Sequence, residues 1–111
     1  MKVFKMNSEF RKKICEAVSN FDSSFREMGL SQVTYSRAYD LLDKIKSEVN
    51  NESINGVAFN LKIRYFYDYF CRELMPGGIV LSEQAQKDFS DISDLANAPE
   101  LLRDIHSPIG F

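Results

Sequence analysis

Few residues in the chain are of a type that carries chemistry. It has one histidine, His106, and two cysteines, Cys15 and Cys71. A Cys-His nucleophile needs an activated thiol beside the imidazole. Both cysteines instead fall in apolar segments of helical period, where inert, buried, reduced thiols are expected. A structural zinc site takes about four Cys or His ligands, and only these three residues qualify. No Gly-rich phosphate loop of the Rossmann or Walker type is present. Carboxylates are the remaining group: Glu83, Asp88, Asp91, Asp94, Glu100 and Asp104 crowd the C-terminal third. They lack the spacing of a calcium loop or of a Glu-x-x-His pair. The reading is a non-enzymatic protein with no catalytic set, no metal centre and no cofactor.

As a group those carboxylates imply something else. The 111-residue chain has a formal net charge of −2, which hides an asymmetry: residues 82–111 sum to −4 and residues 1–81 to +2. A dipolar molecule of this kind attracts a basic partner and accelerates its association. Met1 to Met6 carries charge but no apolar stretch behind it, and no window holds the run of apolar residues a membrane helix needs. These features predict a soluble, cytoplasmic, single-domain protein.

The elements that would position the acidic groups are helices. Phe10, Ile14, Ala17, Val18, Phe21, Phe25 and Met28 recur at steps of three and four, with Gly29 as a C-cap, so a helix is expected over about 8–28. Its other face, from Arg11 and Lys12 to Asp22, Arg26 and Glu27, reads as solvent surface. A second helix over about 32–50 starts near Ser31 or Thr34 and buries Ala38, Leu41, Leu42, Ile45 and Val49, with Asp40 and Lys44 paired at i,i+4. Asn51-Glu52-Ser53 reads as a helix junction rather than a glycosylation site.

Residues 53–74 carry two apolar stripes, Ile54, Val57, Ala58, Leu61, Tyr65 and Phe59, Ile63, Phe66, Phe70, Leu74. With a Ser53 N-cap they predict a central helix wrapped on much of its circumference. The alternative is a strand, since residues 61–69 also alternate at period two. Met75-Pro76-Gly77-Gly78 breaks the chain. Ser82 then caps a fourth helix over about 82–97, and Pro99 opens a short fifth over about 99–106. The fold class expected is all-α, a single-domain bundle of four to five helices spanning 1–111.

Tyr65, Phe66, Tyr67, Tyr69 and Phe70 point in every direction around the third helix, so some phenols must reach the surface. Tyr67 and Tyr69 are the expected surface anchors, because tyrosine joins a large rigid area to a polar tip. Tyr65 is the one expected to be covered.

Met28-Gly-Leu-Ser-Gln-Val-Thr-Tyr-Ser-Arg-Ala38 followed by Leu41-Leu42 resembles the turn and recognition helix of bacterial helix-turn-helix regulators. That resemblance covers residues 25–42 and implies a DNA contact through Gln32, Thr34, Tyr35, Ser36 and Arg37. It departs from the pattern at Phe25, where such motifs carry a small residue, and at Tyr35, where they carry an aliphatic one. The acidic balance also opposes a phosphate-binding role, so nucleic acid is not the expected partner.

By elimination the expected function is binding another protein. Small acidic helical proteins of this style are similar to bacterial immunity proteins and antitoxins. That analogy implies a basic, nuclease-like toxin occluded by Glu83, Asp88, Asp91, Asp94, Glu100 and Asp104, with Tyr67 and Tyr69 as anchors. The alternatives are the DNA-binding regulator and an accessory or scaffold subunit of a larger complex.

Overall fold

Side chains of three- and four-residue period can bury a single stripe of a helix, and four stretches of the chain do so. The computed structural model describes residues 8–54, 56–74 and 78–98. Within them lie α1 (Ser8–Glu27), α2 (Ser36–Val49), α3 (Gly56–Glu73) and α4 (Glu83–Ala96). The expected fifth helix, with Glu100, Asp104 and His106, lies outside the described residues, as do Pro76 and Gly77 of the expected break.

The helices form an antiparallel ring in which each packs on its sequence neighbours and α4 closes against α1. Directions follow from the contacts. Arg11, early in α1, reaches Val49 at the end of α2. Glu48, late in α2, pairs with Lys62 in α3 at 3.0 Å. Arg64 in α3 donates to the Ala96 carbonyl at the end of α4. Phe21, late in α1, meets Phe89 near the middle of α4. This is the up-down-up-down bundle that short connections favour.

Phenylalanine fills the middle. The Phe70 ring lies 5.3 Å from Phe21, 5.6 Å from Phe25 and 5.0 Å from Phe66, centroid to centroid. The Phe21 and Phe25 contacts are edge-on, the geometry the ring quadrupoles prefer. Ile14, Val18, Leu42, Ile45, Phe59 and Ile63 extend this core along the axis.

Charge holds the α1–α2 seam. Asp22 is buried, yet its carboxylate takes Arg26 Nε at 2.7 Å and Lys46 Nζ at 3.0 Å. Arg26 also reaches Asp43 at 2.7 Å. The hydrogen bond that Arg26 donates to Asp22 is the main reason its pKa rises above its ordinary value. Asp22 and Arg26 are therefore seam residues, and the fully solvated polar face expected for α1 is corrected at these positions.

Several boundaries also differ from the sequence reading. Gly29 ends α1 as expected, with φ +70 and its N–H on the Arg26 carbonyl, a left-handed position open to glycine. α2 starts at Ser36, because Ser31 closes a turn of its own in which its hydroxyl accepts the Thr34 N–H and its carbonyl the Tyr35 N–H. Tyr39 joins the core, its hydroxyl on the Leu30 carbonyl at 2.9 Å, while Leu41 is only half-buried. Ser53 does not cap α3. Its N–H and hydroxyl both donate to Asn51 Oδ1, forming a side-chain turn at the junction. The strand alternative for residues 61–69 is replaced by continuous helix. Ser82 caps α4 as expected, accepting from the Ala85 N–H at 3.2 Å. The cysteines are free but half-buried, and burial raises the Cys15 pKa while its thiol faces the Val49 carbonyl.

Candidate functional site

The ring geometry decides which face of α3 is covered. α3 packs on α2 and α4, with α1 across the core, so the stripe of Phe59, Ile63, Phe66 and Phe70 is enclosed, with Asn60 and Tyr69 buried beside it. The other expected stripe is left outside. Leu61 is 48% and Tyr65 64% exposed, with Val57 and Ala58 beside them in solvent. The wrapped central helix is therefore a half-exposed one.

Ala58, Leu61 and Tyr65 line a groove of about 350 Å³ between α2 and α3. Its floor is Leu41 and Ile45 from α2 with Ala58, Leu61, Tyr65 and Phe66 from α3. Lys44 and Glu48 rise on the α2 bank, and Lys62 on the α3 bank. Lys62 and Glu48 bridge the two banks, whereas Lys44 is exposed and has no ion-pair partner among the described residues.

Arg11 reaches the junction that joins α2 to α3. From α1 its guanidinium donates to the carbonyls of Ile54 at 2.7 Å, Asn51 at 2.7 Å and Val49 at 3.2 Å. It also lies 4.2 Å from the centre of the Phe59 ring. It thus serves the Val49 carbonyl at the end of α2, which has no helical partner, together with two carbonyls of the junction, and joins that junction to α1.

The expected partner-binding residues are not gathered into one face. Glu83, Asp91 and Asp94 are exposed along α4. Asp91 and Asp94 border a shallow hollow against α1 that also carries Glu16, Lys13 and Asn20. Asp88 is buried at 7% exposure and accepts from Gln84 Nε2 at 3.1 Å, so its place on a solvated acidic face is corrected. It follows Ala85 by three positions and precedes Ile92 by four, which puts it on the core side of α4. Glu100 and Asp104 lie outside the described residues.

The tyrosines exchange roles. Tyr69 is 8% exposed and packs edge-on to Phe70. Tyr67 is half-buried, stacked on Phe89 at 5.5 Å with its hydroxyl 2.9 Å from Ser93 Oγ. Neither is the free surface anchor expected, and Tyr65 is the exposed one. Burial also pushes the Tyr69 pKa up. The folded chain then holds that proton more tightly than the unfolded chain does. The stabilisation is complete below the ordinary tyrosine pKa and disappears as pH rises through the folded value. The alkaline loss of stability is expected to shrink in Tyr69→Phe, read from urea midpoints of both proteins at neutral and strongly alkaline pH.

Within residues 25–42, residues 28–35 separate α1 from α2, a longer connection than the short turn that joins the two helices of a helix-turn-helix motif. Among the described residues no group of three or more His, Cys, Asp or Glu is placed to hold a metal ion. No helix among them is long and apolar enough to cross a membrane. No protein family, curated protein or solved structure matches the chain.

Proposed function

We propose that this protein is a non-enzymatic binding module whose α2–α3 groove takes a helix of a partner protein. The observation that supports this most is the exposed stripe of Val57, Leu61 and Tyr65 along a helix whose opposite stripe is fully packed. A contiguous exposed apolar strip is a feature of interaction sites, and its run along the helix axis matches an elongated partner with anchors at helical spacing; the other large exposed apolar residues, Val33 and Val80, lie outside the helices. The effect of binding would be occlusion or scaffolding, requiring no chemistry from this chain.

A second reading keeps the inhibitor of a basic toxin, in the style of an immunity protein or antitoxin. Glu83, Asp91 and Asp94, exposed along one side of α4, favour it. Parallel affinity capture from the native cell with wild type, Leu61→Asp and Asp91→Lys/Asp94→Lys distinguishes the two. A partner lost with Leu61→Asp and kept with the α4 variant is the expected result. The reverse pattern would move the site to α4.

A further inference from the structure

We infer that the occupant of the α2–α3 groove is an amphipathic helix flanked by acidic residues on a different protein, and not a second copy of this chain; this rests on the docking role proposed for the groove. Ala58, Leu61 and Tyr65 follow one another at steps of three and four along α3, and Leu41 faces them from α2. A helix laid along that line meets them with its own side chains at i, i+4 and i+7, and Ala58 leaves space for a bulky anchor.

Charge then selects among occupants. Each bank carries a lysine, Lys44 on α2 and Lys62 on α3, against a single carboxylate, Glu48, which Lys62 already engages at 3.0 Å. The groove is therefore a locally cationic rim in a protein of net charge −2. Two grooves placed face to face would gather two copies of Lys44 and Lys62 against only two of Glu48 in one desolvated seam. Like charges brought together in this way are unfavourable. Among the described residues, the outer faces of α1 and α4 in another copy offer no match either. Their exposed positions are polar or charged, from Lys12, Lys13 and Glu16 to Glu83, Lys87 and Asp94, without an apolar stripe to fill the floor. An acidic residue beside an apolar stripe on a partner helix supplies both the floor contact and the counter-charge for Lys44.

The test uses three synthetic helical peptides with one leucine stripe at i, i+4 and i+7 and with flanking positions all Glu, all Gln or all Lys. Each is titrated against the full chain by fluorescence anisotropy, with amide chemical shifts locating the contact. The Glu peptide is expected to bind about tenfold more tightly than the Lys peptide at low salt, a preference that fades as salt screens the rim. Shift changes should centre on Leu41, Ala58, Leu61 and Tyr65. Leu61→Asp should abolish binding, and the exposed charge reversal Lys44→Glu should invert the order of the peptides. Equal or reversed affinities with wild type, or shift changes elsewhere, would overturn the acidic helix as occupant. Sedimentation showing a dimer that Leu61→Asp dissociates would overturn it in favour of a second copy. Absence of any groove contact by all three peptides would reject the docking role itself.

Discussion

Phe70→Ala should lower the unfolding free energy by about 3–5 kcal/mol, a large part of the roughly 5–15 kcal/mol that holds a domain together. Phe70 is fully buried and its ring meets those of Phe21, Phe25, Phe66, Tyr69 and Phe89, drawn from α1, α3 and α4. Truncation removes the transfer contribution of the ring and leaves a cavity bounded by other rings. Those rings are themselves packed from several sides, so the site cannot collapse easily. Urea unfolding followed by circular dichroism reads the loss directly. Phe70→Leu keeps most of the volume and should cost no more than about 1.5 kcal/mol. A Phe70→Ala variant as stable as Phe70→Leu would mean that the ring cluster is not the centre of the core.

Arg11→Ala should destabilise by about 2–3 kcal/mol, in the range of hydrogen bonds to a charged group. One guanidinium serves the carbonyls of Val49, Asn51 and Ile54 and covers the Phe59 ring. Without it the α2–α3 junction is left with the Cys15 thiol on the Val49 carbonyl as a hydrogen bond from α1. Arg11→Lys should recover less than half of the loss, because an ammonium cannot present the planar fork that meets several carbonyls at once. Arg11→Ala should also weaken peptide binding at the groove, since the junction it holds sets the spacing of the α2 and α3 banks. Full rescue by lysine would show that charge alone, and not the fork, matters at this position.

Much of the fold could be read from spacing. Phe10, Ile14, Phe21 and Phe25 trace the buried stripe of α1, and Ser82 and Gly29 mark helix ends through the local chemistry of their own backbones. Such features depend on neighbours within about one turn, which is why a sequence displays them. The start of α2 was not legible, because Ser31 is as suitable for a local turn as for a helix cap. Nor was the role of Arg11, since its acceptors lie some forty positions away and are backbone carbonyls, which carry no residue-type signal.

The candidate site divides in the same way. The sequence by itself determined that α3 carries two apolar stripes and that acidic residues concentrate toward its C-terminus. Only the tertiary structure decided which stripe is covered. In an antiparallel ring of four helices each helix has two neighbours, so Phe59, Ile63, Phe66 and Phe70 turn inward and Val57, Leu61 and Tyr65 remain outside. The same arrangement buries Asp88 and Tyr69, which residue type and helical spacing placed at the surface. Burial depends on where the neighbouring helices lie, and helical periodicity specifies faces without specifying what each face meets.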